Sequence, residues 1–155
     1  MMWDGVRDVA RFLTHSSDAQ VVMSKRLRET SHDIIEVFDA PDSEATQVYT
    51  FTTDELTALC PFDFGGPDYY VLTLRYSPAD YCLESKSLKK YIESFRDTEI
   101  SAESLGTEIF ETIQETVEPE DLYIRLEQAR RGGVEEVVEI GDTSLVPNTQ
   151  GSYSE

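Results

Sequence analysis

The 155-residue chain carries 31 acidic against 13 basic residues, a formal net charge of −18, and is 39% hydrophobic. That length supplies one domain with a real hydrophobic core, and the acidic excess repels phosphate backbones, so nucleic acid is not an expected partner. No apolar run approaches a membrane span, and Met1 to His15 lacks the charged start and apolar block of a signal peptide, so a cytoplasmic protein with no membrane partner is expected.

Only Lys25, Lys86, Lys89 and Lys90 are lysines. An acidic, lysine-poor surface suits a cytoplasm at molar salt, where screening removes the penalty of self-repulsion. A halophilic host, or a virus of one, is one reading of this; an ordinarily acidic mesophilic protein is the other. Cys60 and Cys82 make no disulfide framework, and with only His15 and His32 beside them there is no zinc-ligand spacing, so no metal site is expected.

In chain order, Trp3, Val6, Val9, Ala10 and Leu13 recur at near-helical spacing, which reads as an N-terminal helical extension over residues 1–30. Ile34 to Phe38 is an apolar run that ends at Pro41 and reads as a strand. Val48 to Thr53 alternates as a second, and the polar residues between them make a hairpin. The segment T-D-E-L-T-A-L-C-P leads into a Gly/Pro-rich loop, after which Tyr70 to Tyr76 is rich in β-branched and aromatic residues.

Leu88, Tyr91, Ile92 and Phe95 then fall at i, i+3, i+4 and i+7, one face of a helix. Ser101 is an N-cap for a second helix whose buried stripe is Leu105, Ile109, Ile113 and Val117, with Pro119 as its stop. Leu122, Ile124 and Leu126 alternate with polar residues, and a further apolar segment, Val134 to Ile140, comes after the Gly132-Gly133 connection as a second hairpin. The architecture expected is α+β, an antiparallel β-sheet with two helices packed on one face, occupying residues 31–142 and followed by a flexible tail over 143–155.

Two features carry chemistry. Cys60 closes an apolar segment, and Gly65, Gly66 and Pro67 let the chain fold back so that Asp68 approaches the thiol as a general acid or base. Alone, a cysteine such as Cys60 is more often a small buried hydrophobe than a nucleophile. The second feature is the cluster Lys86, Lys89 and Lys90 on the polar side of the first helix. A solvated helix face is the ordinary reading of such a run. Cations retained locally in so acidic a chain suggest instead a bound anion, such as a dinucleotide phosphate.

The segment E-S-K-S-L-K-K-Y, Glu84 to Tyr91, closely resembles the signature of the QueF nitrile reductases, departing from it only at Lys90. The L-C-P at Leu59 to Pro61, G-P-D at Gly66 to Asp68, S-F-R at Ser94 to Arg96 and R-G-G at Arg131 to Gly133 fall in the family's order, and the resemblance spans roughly Ile34 to Ile140. It implies the tunnelling fold, a homo-oligomeric barrel with active sites between subunits. It also implies reduction of the nitrile of 7-cyano-7-deazaguanine to the primary amine with NADPH, for 7-deazaguanine modification of tRNA or DNA.

By the resemblance, Cys60 attacks the nitrile carbon to give a thioimide, and Asp68 exchanges protons with the thiol and the nitrogen. Glu103 recognises the guanine-like edge, and Leu83, Glu84 and Ser85 line the base pocket. Ser85, Lys86, Arg131 and Gly132 contact the cofactor, with Lys89 a further phosphate candidate on charge alone. Ala102 stands where the family places a histidine. Two other readings share the fold: an amidine-forming relative that acts on the nitrile base in tRNA, and a non-catalytic purine-binding protein.

Overall fold

The computed structural model describes residues 33–62 and 66–146. The extension expected over residues 1–30, and both histidines, lie outside the described residues. Among the described residues the elements run β1 (Val37–Asp39), β2 (Tyr49–Leu59), β3 (Pro67–Ser77), β4 (Tyr81–Leu83), α1 (Ser85–Glu93), α2 (Ala102–Val117), β5 (Asp121–Arg131) and β6 (Val134–Gly141). Strands β2, β3, β5 and β6 form, in that order, one fully antiparallel sheet. The α+β class expected from the sequence, with helices against one sheet face, is what the chain adopts.

Alternation decides which face is buried. Along β3, Asp68, Tyr70, Leu72, Leu74 and Tyr76 are buried while Tyr69 and Val71 are exposed. The inward set meets the stripe of α2, where Leu105, Ile109, Ile113 and Val117 are all fully buried at a spacing of four. Each such side chain contributes roughly 1.5–3 kcal/mol as its apolar surface leaves water. Gly106 lets α2 lie close on β6, since a Cβ there would stand 3.1 Å from Val138 Cγ1. Ser101 caps α2 by accepting from the Ser104 amide, and Glu118 ends it in a left-handed conformation immediately before Pro119.

The first hairpin expected from the sequence does not form. β1 pairs instead with β4, Val37 opposite Leu83, in a separate two-stranded sheet. Its hydrogen bonding continues past the strands, as the Glu84 amide donates to the Glu36 carbonyl and the Glu36 amide to the Ser87 hydroxyl. β2 runs on to Leu59, well beyond Thr53, and its last residue makes a parallel bridge to Glu99. The second hairpin forms as expected: Gly132 and Gly133, at φ +58° and +78°, make the two-residue connection with Arg131 opposite Val134. Of the tail, Thr143–Leu145 form a 3-10 turn capped by Asp142, and residues 147–155 lie outside the described residues.

Two bulges interrupt the ladders, and each changes which side chains reach the inner face. Between Thr53 and Leu56, β2 takes three steps while β3 takes two, from Leu72 to Tyr70. Before the bulge the odd residues Tyr49 and Phe51 pack toward the core; after it the even residues Leu56 and Ala58 do. β5 does the same between Gln128 and Arg131 against Glu136 and Val134 of β6. An extra residue in one strand reverses which face each later side chain occupies.

Candidate active site

Cys60 comes directly after β2, in phase with Leu56 and Ala58, and therefore turns to the inner face. Arg131 turns inward for the same reason at the end of β5. The bridge that holds β2 to the segment before α2, with the Leu59 amide donating to the Thr98 carbonyl (2.9 Å) and the Ile100 amide to the Leu59 carbonyl (3.1 Å), brings Ser101, Ala102 and Glu103 alongside. The result is a cleft of about 580 Å³ at one end of the sheet, whose lining includes Cys60, Asp68, Glu103, Arg131, Gly132 and Glu136.

Asp68 is 3% exposed, and Arg131 donates to it from Nη1 in an ion pair. The same guanidinium is held above its ordinary range first by the neighbouring Cys60 sulfur and then by the Asp68 charge. Thiol, carboxylate and guanidinium are thus one linked group. A cation beside a sulfur that must become an anion, and a carboxylate able to take its proton, are what a nucleophilic cysteine needs.

One rung further into the sheet, Leu56, Tyr70, Gln128 and Glu136 stand opposite one another across all four strands. The Tyr70 hydroxyl is buried with no hydrogen-bond partner among the described residues. Burial pushes its ionisation well above the usual phenol range, and the charges of Asp68, Glu136 and Cys60 add to this. The Glu136 carboxyl is raised from its ordinary value by burial, then by the neighbouring Glu103 carboxylate, and by Asp68. Tyr70, Gln128 and Glu136 did not emerge from the sequence. Glu136 faces the cleft because it stands in phase with Val138 and Ile140 along β6, opposite Gln128.

The structure separates the other residues named from the sequence. Leu83 is buried, its amide donating to the Tyr76 hydroxyl (2.9 Å). Glu84 is the N-cap of α1, accepting from the amides of Lys86 and Ser87 at 2.8 Å each, and these bonds hold its carboxyl below the usual range. Ser85 and Lys89 border a second, smaller cleft of about 200 Å³ between α1 and β2, while Lys86 is exposed on the first turn of α1. Within one chain, Cys60, Asp68, Glu103, Arg131 and Gly132 share a cleft, and the Leu83 to Lys89 group lies apart from it.

An antiparallel sheet backed by two helices, with a cysteine and a buried carboxylate at its open end, defines a tunnelling-fold protein. A solved apo structure of the archaeosine synthase QueF-Like shares this fold, with a TM-score of 0.55 at 22% identity over 64% of this chain and 95% of that one. The family model "QueF-like protein" matches residues 67–145. The NADPH-dependent 7-cyano-7-deazaguanine reductase of Chlorobaculum parvum is 32% identical over 112 residues, 72% of this chain and 96% of that protein. The enzyme of the same name from Sulfurimonas denitrificans is 37% identical over 94 residues, 61% of this chain and 74% of its own. The chain belongs to the QueF family.

Proposed function

We propose that this protein reduces the nitrile of 7-cyano-7-deazaguanine to 7-aminomethyl-7-deazaguanine, using NADPH. The observation that carries the reading is the linked group in the main cleft: Cys60, Asp68 and Arg131 held together by one guanidinium. The names of the relatives support reduction over amidine formation, and a nucleophile with its own proton carrier speaks against a purely binding role.

The residues divide the chemistry between them. Asp68 takes the proton of the Cys60 thiol, and the sulfur attacks the nitrile carbon, forming a C–S bond and breaking one C–N π bond. The nitrile nitrogen takes the proton back from Asp68, so the thioimide forms with no net change in charge. Arg131 stabilises whichever neighbour carries the negative charge as the proton moves. Glu103 accepts from the ring N–H and the exocyclic amine of the base, which orients the nitrile toward Cys60.

NADPH, when bound, supplies hydride, two equivalents for each nitrile. The donor set fits its phosphates: Lys86 and Lys89 are exposed ammonium groups on α1, with the Ser85 hydroxyl beside them, and Arg131 and Gly132 lie at the hairpin end. Because the α1 group lies apart from the cleft within one chain, we place it against the cleft of a second subunit in a homo-oligomer. The product would enter tRNA or DNA modification in the cytoplasm.

The deciding measurement is NADPH consumption by the purified chain with 7-cyano-7-deazaguanine across a range of salt, beside Cys60→Ala. Two NADPH per nitrile are expected, with turnover down at least about 10³-fold in Cys60→Ala and no base-sized mass adduct on that variant. Absence of nitrile-dependent oxidation at every salt concentration, or a Cys60→Ala protein as active as the parent, overturns the proposal.

A further inference from the structure

A guanine-like edge presents a carbonyl oxygen, a ring N–H and an exocyclic amine in a row: one acceptor and two donors. A single carboxylate satisfies the two donors and leaves the carbonyl needing a donor of its own. Ala102, beside Glu103, supplies none from its side chain. Across the cleft from α2, however, Glu136 faces inward in phase with Val138 and Ile140 of β6, lining the same cleft as Glu103 and on the rung of Gln128.

We infer that Glu136 is a second base-recognition residue, a carboxylic acid that donates its proton to the carbonyl of the purine-like ligand while Glu103 accepts from the two N–H groups. This assignment rests on the cleft being the site of a deazaguanine nitrile reductase, and deepens that reading. Two carboxyls lining one cleft disfavour ionisation at the more buried of them, and the Glu136 carboxyl is raised by burial and by the charge of Glu103. The pair then offers acceptor, acceptor and donor, the complement of the ligand's edge.

The surroundings agree. Besides Glu103 from α2, Glu136 faces Asp68 of β3, with the Tyr70 hydroxyl, Cys60 and Arg131 nearby; Arg131 donates to Asp68. Burial and the two acids all favour the protonated form. The Tyr70 hydroxyl, 2% exposed on the same rung, has no hydrogen-bond partner among the described residues and so adds no donor that would hold Glu136 ionised.

The pH dependence has a definite sign. With its ionisation raised by burial and by its acidic neighbours, Glu136 keeps its proton above the ordinary carboxyl range, and the donor is lost as pH rises further. Affinity for the lactam edge should therefore be full below the titration of Glu136 and fall above it.

The test is calorimetry with 7-deazaguanine, which has the edge but no nitrile, on the full chain from pH 5 to 9. Glu136→Ala should weaken binding about tenfold at low pH. Glu136→Gln, which keeps a donor but cannot titrate, should recover most of that affinity and flatten the pH profile. In turnover, Glu136→Ala should raise KM for the nitrile base with kcat little changed. Parent-like affinity in Glu136→Ala at every pH, or Glu136→Gln as weak as Glu136→Ala, overturns the inference. A parent that binds 7-deazaguanine with the expected pH profile yet oxidises no NADPH would overturn the proposed reaction and leave this assignment standing.

Discussion

Leu72 and Leu74 on β3, with Leu126 and Ile124 opposite them on β5, share a sheet face with Asp68, Gln128 and Arg131 on the same two strands. The first group is covered by Leu105, Ile109 and Ile113 of α2 and makes a dry core. The second lies at the end of the sheet where α2 begins, and the helix's first turn lines the cleft rather than closing it. The face is the same, although Arg131 reaches it only through the β5 bulge. What differs is whether the apolar stripe of α2 covers the residues or its first turn leaves them lining a cleft.

The contrast can be broken at either end. The largest effect is expected from Asp68→Asn, which removes the proposed proton carrier and the charge facing Arg131. Turnover of the nitrile base should fall about 10²–10⁴-fold while the fold persists, as followed by NADPH oxidation and circular dichroism. Activity within a few-fold of the parent would mean that Asp68 is only a structural partner of Arg131.

Ile109→Ala should act on the opposite quantity. Denaturant unfolding should show a loss of about 2–5 kcal/mol, from lost transfer energy and the cavity left under α2. Turnover per folded molecule should be unchanged. A large kcat effect without loss of stability would mean that core and cleft are not separable.

Tyr70→Phe is the subtlest and sharpens the boundary between the two regions. Its hydroxyl has no partner among the described residues, so removing it should leave stability unchanged or raise it by up to about 1 kcal/mol. A marked loss would show that the hydroxyl has an acceptor after all.

Much of the fold was legible in the residues. Helical spacing marked α1 and α2, the Ser101 cap and the Pro119 stop came from residue chemistry, and the two glycines marked the β5–β6 turn. Local rules suffice there because each depends on residues within a turn or two of one another. The hairpin expected between β1 and β2 failed because strand pairing is a long-range choice, and β4 competes for the same partner.

Residue order alone set the periodicities, the rare lysines and the side-chain types able to act as nucleophile, acid and anion binder. Which of them meet was settled by assembly of the sheet. Simple alternation would turn Cys60 and Arg131 to the outer face, and two bulges, one in β2 and one in β5, reverse that phase before each is reached. A bulge is a property of two strands in register rather than of either strand's residues. Hence the linkage of Cys60, Asp68 and Arg131, and the placing of Glu136 in one cleft with Glu103, arise only once the four strands are paired.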